Sequence, residues 1–194
     1  MFDNEYEIFS ELNNQLKSNG INLTIICVGG FVLSHYDMRT THDIDGFYES
    51  SRNIENIITK VGDMFHINNE DENWLNHSVQ NMNEKPPENI CDILYDFSNL
   101  KVLMPPLDYI AGMKLTSARE QDVEDVAAIL NKLSIVSPDS FLKKMQSYGF
   151  HSIDESVLLE SFGIAYGIDW LEQYYIANEE EINQRIKEGR HPSK

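Results

Sequence analysis

Residues 28–46 read V-GG-FVLSHYDMRTTH-DID-G, and this stretch decides the fold. Residues 22–28 (NLTIICV) lead into it; they are mostly apolar and rich in β-branched side chains, which predicts a buried strand ending at Gly29 and Gly30. Twelve residues separate Gly30 from Asp43, where alternating polar and apolar residues over 43–48 predict a second strand. The sequence therefore predicts a strand, a glycine turn with a short helix, and a second strand that opens with two acids.

The residue types at these positions suit phosphate chemistry. Two glycines at a strand-to-helix turn let backbone N–H groups approach a phosphate closely. Asp43 and Asp45 are two apart on the predicted strand, so both carboxylates point to the same side. Two adjacent carboxylates repel each other unless a cation lies between them, and Mg²⁺ binds one or two carboxylates together with phosphate oxygens. The pattern predicts a metal-assisted phosphoryl- or nucleotidyl-transfer site, although an isolated pair of this kind is also compatible with a solvated strand end.

The rest of the chain changes character near residue 105. Before it the pattern is mixed, with helices predicted at 2–18, 31–36 and 54–65, strands at 90–94 and 100–104, and a polar loop with a short helix at 68–87. After it the pattern is helical, over 107–117, 122–133, from Pro138 with Ser137 as N-cap, and from 152 to about 187. We therefore expect an α/β (α+β) fold: a small mixed sheet flanked by helices in a core of residues 1–106, with a helical region of residues 107–194 packed on it.

Composition excludes several classes of protein. The chain has 194 residues with 41% hydrophobic side chains, which supports a folded core rather than a disordered chain. No apolar run is long enough to span a membrane, and residues 1–20 are too acidic and polar for a signal peptide. With 32 acidic and 15 basic residues the net charge is −17, which disfavours generic binding to nucleic acid. The two cysteines, Cys27 and Cys91, are expected to be buried free thiols in a cytoplasmic protein.

The glycine turn and the following DxD strand resemble the signature of the nucleotidyltransferase superfamily of the DNA polymerase β type. The run 39–45 (RTTHDID) is similar to the RxTxDID form of small bacterial nucleotidyltransferase-like proteins. The segments 74–76 (WLN), 106–115 (PLDYIAGMKL) and 119–125 (REQDVED) are similar to blocks of a branch related to abortive-infection toxins of the AbiEii type. The resemblance covers about residues 20–150.

The resemblance implies a role for each residue of the central stretch. Gly29 and Gly30 would hold the phosphates of a nucleoside triphosphate, and Asp43 and Asp45 would ligate Mg²⁺ as catalytic residues. The implied activity is the transfer of a nucleoside monophosphate to an acceptor hydroxyl, on an RNA end, a protein or a small molecule. A toxin–antitoxin or phage-defence context, with a protein partner, is also implied.

Three residues outside the DxD strand are further candidates. The resemblance implies that Lys114 contacts the triphosphate and that Asp122 lies near the active centre. Helical spacing places Lys114, Asp122 and Asp125 on one face if the helix is continuous, which equally predicts a surface ladder of ion pairs. Arg39 either neutralises a phosphate or pairs with Asp37.

One departure from the superfamily pattern concerns a third carboxylate, which enzymes of this type carry on a later strand. The predicted strand 100–104 (LKVLM) has no acid, and the nearby candidates are Asp92 at the start of the preceding strand and Asp96 in the predicted turn. A site with two carboxylates can bind metal and nucleotide without transferring. The alternative hypothesis is therefore a degenerate fold that acts as a nucleotide-binding or antitoxin/interaction module.

Overall fold

The computed structural model describes residues 4–69, 73–81, 84–117 and 119–189. The chain forms two compact units, Met1–Pro106 and Leu107–Lys194. The first contains α1 Glu5–Ser18, β1 Leu23–Val28, α2 Gly29–His35, β2 Ile44–Phe47, α3 Arg52–Phe65, β3 Leu75–Asn76, β4 Asp92–Asp96 and β5 Leu100–Met104. The second contains α4 Leu107–Ser117, α5 Glu120–Lys132, α6 Pro138–Ser147, α7 Glu155–Tyr166 and α8 Ile168–Gly189. The predicted fold class, a mixed sheet with helices and a helical second half, is confirmed.

The sheet of the first unit has five strands in the order β3-β2-β1-β5-β4. Strand β1 lies at the centre, antiparallel to β2 and parallel to β5. Antiparallel pairing places the start of β2 beside the end of β1, with Asp45 opposite Val28. The acidic end of β2 and the glycine turn therefore meet at the same end of the sheet.

Helices α1 and α3 cover one face of this sheet. In β1, Leu23, Ile25 and Cys27 alternate with the residues of the other face and belong to this core. The helices contribute an apolar stripe each: Ile8, Phe9, Leu12 and Leu16 from α1, and Ile54, Ile57, Ile58 and Val61 from α3. Helix α3 begins at Arg52, two residues before the predicted start, because Ser51 caps it by accepting a hydrogen bond from the Ile54 N–H.

The segment around Trp74 differs from its prediction. Instead of a loop with a single short helix, it forms β3, which pairs in parallel with β2 through Ile44 and Leu75, and two short 3₁₀ helices follow at Ser78–Asn81 and Glu88–Ile90. The Trp74 indole is fully buried and donates a hydrogen bond to the Ile58 carbonyl, at 3.0 Å. Because two residues are too few to show alternation, the sequence pattern did not indicate this strand.

Smaller corrections concern β4 and Cys91. Strand β4 spans Asp92–Asp96 rather than 90–94, because Asp96 pairs with Lys101 of β5 and so lies in the strand rather than in the turn. Both cysteines are free, but only Cys27 is buried as predicted; Cys91 is partly exposed, and burial raises its pKa to about 11.

The second unit is built from helices with identifiable ends. The predicted N-cap Ser137 is confirmed, since its side chain accepts a hydrogen bond from the Ser140 N–H and Pro138 begins α6. Asp154 caps α7 in the same way through the Ser156 N–H, and Gly167, with a φ of 97°, ends α7. Among the described helices of either unit, none combines the length and apolar character required to cross a membrane.

Candidate active site

The glycine turn brings the Asp45 carboxylate directly against the backbone. Gly29 begins α2 with a φ of +63°, a conformation that side-chain-bearing residues rarely adopt. A Cβ at Gly29 would lie 2.9 Å from Asp45 Oδ2, so the close approach of carboxylate and backbone also requires glycine. At this turn the Gly29 backbone is therefore not covered by a side chain of its own, and the Asp45 carboxylate lies beside it.

Asp43 reaches the same turn through Thr41. The Thr41 hydroxyl donates hydrogen bonds to Asp43 Oδ1 at 2.9 Å and to the Asp43 carbonyl at 3.2 Å. A Cβ at Gly30 would lie 3.1 Å from Thr41 Oγ1 and 3.8 Å from Arg39 Nε. Thr41 and Arg39 thus border Gly30, as Asp45 borders Gly29, and Asp43 is connected to Gly30 through Thr41.

Thr41 was not singled out by the sequence analysis, although it lies in the quoted run. The available signal was its position two residues before Asp43, where a threonine hydroxyl is able to bond an acid locally. The hydrogen bond fixes which way one Asp43 oxygen faces and leaves the other oxygen for a further partner. Thr41 is therefore a positioning residue for Asp43.

The donor set fits a magnesium ion with few protein ligands. Asp43 and Asp45 are both partly buried; Asp45 lies against Gly29, and Asp43 bonds to Thr41, which lies against Gly30, so both acids adjoin the turn where a phosphate would bind. In the described part of the chain no group of three or more His, Cys, Asp or Glu side chains is placed to hold a metal. The site therefore offers two carboxylates, and the remaining ligands would come from substrate and water.

Neither candidate for a third carboxylate joins this pair. Asp96 pairs with Lys101, and Lys101 pairs with Thr24 near the start of β1, so Asp96 lies toward the opposite end of the sheet from Asp45. Asp92 pairs with Met104 and lies at the same end as Asp45. However, β1 and β5 intervene, so the backbones of Asp92 and Asp45 are three strand spacings apart, about 14 Å.

A cavity adjoins the site. It has a volume of about 500 Å³, lies beside Thr41 and His42, and has an apolar floor that includes Ile8 and Phe65. Among the residues that the structure describes, its lining includes two histidines and no Asp, Glu, Lys or Arg side chain. A larger groove of about 1090 Å³ lies toward the other end of the sheet and includes Asp96 and Lys101, so size alone does not identify the reactive end.

Lys114 and Asp122 lie in the second unit and form an ion cluster with Asp125. Lys114 Nζ lies 2.8 Å from Asp122 Oδ1 and 2.6 Å from Asp125 Oδ2. The three side chains are only 11%, 6% and 16% exposed. The predicted surface ladder on one continuous helix is therefore wrong: the helix ends at Ser117, and the ion pairs join α4 to the separate helix α5. The predicted contact of Lys114 with a triphosphate, and its distance of about 10 Å from Asp43 and Asp45, stay predictions.

The cluster determines the protonation of Asp122. Burial raises the pKa of its carboxyl group, but hydrogen bonds from Lys114 and from the Ser117 hydroxyl lower it more. The net pKa lies below the ordinary value, so Asp122 is a carboxylate at neutral pH. A fixed negative charge at this position matches an ion-pair partner rather than a proton donor.

A mixed sheet whose central strand ends in a glycine turn, with one acid against the turn and a second acid held by Thr41, is the arrangement that the resemblance to nucleotidyltransferases predicts. The chain belongs to the family described as nucleotidyltransferase of unknown function (DUF6036), whose model matches residues 5–167. The superfamily suggested by the sequence is thereby confirmed, while the kinship with AbiEii-type toxins stays a prediction. Comparison with curated proteins and with solved structures finds no match.

The close approach at Gly29 gives a prediction with an internal control. Gly29→Ala is expected to weaken binding of a nucleoside triphosphate with Mg²⁺ about 10-fold, or about 1.4 kcal/mol, because the new methyl group displaces the Asp45 carboxylate. Gly20→Ala introduces the same strain, at a φ of +64°, but nothing lies within 4 Å of its Cβ. Isothermal titration of both folded variants checks this, and equal losses of affinity would show that strain alone is responsible.

Proposed function

We propose that the protein is a magnesium-dependent nucleotidyltransferase that moves a nucleoside monophosphate from a nucleoside triphosphate to an acceptor hydroxyl. The observation that carries the proposal is the convergence of both acids on one glycine turn, with Asp45 against Gly29 and Asp43, through Thr41, beside Gly30. Membership of a nucleotidyltransferase family supports the same class of reaction.

Each residue of the site has a chemical role in this proposal. The backbone N–H groups at Gly29 and Gly30 bind phosphate oxygens, and Arg39, next to Gly30, adds a positive charge there. Asp43 and Asp45 hold Mg²⁺, which supplies charge neutralisation and polarisation of the α-phosphate. The acceptor oxygen forms a bond to the α-phosphorus, the bond to the pyrophosphate oxygen breaks, and the hydroxyl proton passes to water. Catalysis is then mainly positioning and electrostatic stabilisation.

The acceptor class follows from charge. A chain with net charge −17 repels an RNA backbone, which favours a protein hydroxyl or a small molecule as acceptor. In the described part of the chain, the cavity beside Thr41 is lined by no carboxylate and by no Lys or Arg side chain. A toxin–antitoxin or phage-defence setting belongs to the same proposal and rests on the sequence resemblance alone.

A second function is favoured by the positions of Asp92 and Asp96. Because neither adjoins Asp43 and Asp45, the described residues supply no third acid to activate an acceptor hydroxyl. Binding of a nucleotide without transfer is the function that such a site performs most readily. The alternative is therefore a nucleotide-binding or interaction module on a nucleotidyltransferase fold.

One experiment separates these functions. The purified protein is incubated with each of the four NTPs, labelled at the α-phosphate, with Mg²⁺ or EDTA, and with itself, total RNA or a small-molecule extract as acceptor. Magnesium-dependent labelling of one acceptor with release of pyrophosphate supports transfer. Magnesium-dependent binding in equilibrium dialysis without labelling supports the alternative, and no nucleotide binding under either condition contradicts both.

A further inference from the structure

The second unit carries an apolar groove that the nucleotidyltransferase chemistry does not use. The groove has a volume of about 500 Å³ and lies between α7 and α8. Its apolar wall includes Ile168 and Ile176, which are 65% and 77% exposed, and Tyr175, which is 38% exposed. Its full lining is Ser156, Leu159, Glu160, Ile168, Leu171, Glu172, Tyr175, Ile176 and Ile182. We call this surface the α7–α8 groove.

A break in α8 gives the groove its third wall. Asn178 leaves the helical conformation with φ −130° and ψ 20°, and its side-chain amide donates to the Tyr174 carbonyl. Beyond this break Ile182 is fully buried and lines the groove, so the two parts of α8 and helix α7 enclose it. The floor is thus provided by buried side chains, while Ile168 and Ile176 remain exposed at the rim.

Exposure of this kind indicates a binding surface. Single exposed apolar side chains are ordinary, but a contiguous apolar groove on a folded protein marks a site of association. Isoleucine side chains more than half exposed on a strongly acidic chain are not needed for solubility or for the internal core. The arrangement of apolar side chains along two helices matches the grooves that receive the apolar face of a partner helix.

Charge selects among the occupants of such a groove. Among the described side chains of its lining, the charged ones are Glu160 on α7 and Glu172 on α8, and both are acidic. A second copy of the chain would bring these glutamates, and two net charges of −17, against each other. An anionic lipid surface would be repelled in the same way. A helix with an apolar face and flanking Lys or Arg side chains complements the groove in two ways: its apolar face matches the apolar floor, and its basic side chains match the acidic rim.

We propose that the α7–α8 groove binds an amphipathic helix with a basic polar face, contributed by a different protein. Apolar side chains of that helix occupy the space above Leu159 and Leu171, and basic side chains beside them pair with Glu160 and Glu172. The proposal rests on residues of the second unit alone and stands or falls independently of nucleotidyl transfer.

The test uses two synthetic helical peptides with the same leucine pattern at i, i+3, i+4 and i+7. In one peptide the polar positions are lysine and in the other they are glutamate. Fluorescence anisotropy with the full chain at physiological salt is expected to show saturable binding of the lysine peptide alone. Ile168→Asp with Ile176→Asp is expected to weaken this binding about 10-fold or more, since the apolar wall is lost. Glu160→Gln with Glu172→Gln is expected to weaken it and to reduce its salt dependence.

Val136→Asp is the matched control. Val136 is an exposed apolar side chain of the same unit, it does not line the groove, and the substitution adds the same type of charge. Equal loss of binding in Val136→Asp and the groove variant would overturn the proposal, because the loss would then not depend on the groove. Unchanged binding of the lysine peptide by the groove variant would also overturn it, because attraction to the net negative charge would then explain the binding. Binding of the glutamate peptide, dimerisation abolished by Ile176→Asp, or pelleting with anionic vesicles would also overturn it, each in favour of another occupant. Circular dichroism confirms that the variants remain folded.

Discussion

Replacement of Lys114 by methionine is expected to lower the free energy of unfolding by about 3 kcal/mol, because removal of one partner from a buried ion pair leaves the other charge uncompensated. Lys114 is the counter-ion of both Asp122 and Asp125, at 2.8 and 2.6 Å, and all three side chains are nearly buried. Methionine fills most of the volume of the lysine side chain, so the loss of stability measures the removal of the positive charge rather than a loss of packing. Chemical denaturation monitored by circular dichroism measures it.

Two further variants make this result specific. Lys85→Met removes a lysine from an ion pair whose side chains are 53% and 55% exposed, and it is expected to change stability by less than about 1 kcal/mol. Lys114→Met combined with Asp122→Asn and Asp125→Asn removes the uncompensated charges and is expected to recover part of the loss. If Lys114→Met leaves stability unchanged and weakens only nucleotide binding, the cluster is not structural and the role in triphosphate binding is favoured.

The effect of Lys114 also depends on pH in a defined direction. The pKa of Asp122 is lowered in the folded state, so its contribution to stability is present above the unfolded pKa, about 3.9, and is lost as the pH falls through the folded pKa. In Lys114→Met the Asp122 carboxylate has lost its main stabilising partner. Protonation of Asp122 at low pH removes this unpaired charge and so makes the variant less unstable relative to wild type. The difference in stability between wild type and variant is therefore expected to be full at pH 7 and to shrink below about pH 4.

The sequence predicted the parts of the molecule that depend on local pattern. The strand before Gly29, the apolar stripe of α3 and the cap at Ser137 are consequences of residue type and spacing, and each is confirmed. The two-residue strand β3 was not predicted, since it exists only through its pairing with β2 and the burial of Trp74. Local pattern carries no information about such a tertiary contact.

The same limit applies to the site. The spacing of Asp43 and Asp45 predicted two acids on one strand, but only Asp45 lies in β2 (Ile44–Phe47), and Asp43 directly precedes it. The spacing also did not predict that Thr41 holds one oxygen of Asp43 or that Asp45 lies against Gly29. The candidates for a third acid, Asp92 and Asp96, were near in sequence to the expected strand. Their distance from Asp45 depends on strand order and register, which the local sequence pattern does not specify. The strand order and register place Asp96 toward the other end of the sheet and Asp92 three strands from Asp45.

Asp43→Asn combined with Asp45→Asn is expected to weaken binding of a non-hydrolysable nucleoside triphosphate with Mg²⁺ by about 100-fold or more, or about 2.7 kcal/mol, because both proposed protein ligands to the cation are lost. The melting temperature is expected to stay level or to rise slightly. Two neighbouring like charges are removed, and an asparagine oxygen at position 43 still accepts the Thr41 hydrogen bond that Asp43 Oδ1 accepts at 2.9 Å. Isothermal titration with Mg²⁺ and with EDTA, beside calorimetric melting, measures both quantities.

Asp92→Asn combined with Asp96→Asn is the matched control, because it removes the same two charges from the same sheet without touching the glycine turn. This control is expected to retain magnesium-dependent nucleotide affinity within about 2-fold, less than 0.5 kcal/mol. Equal losses in the two double variants would place a third acid in the site, against the register of the sheet. A large fall in the melting temperature of the Asp43 and Asp45 variant without nucleotide would instead make these acids structural. Retention of wild-type affinity by that variant would separate the glycine turn from metal binding, and the proposed transfer reaction would then lose its chemical basis.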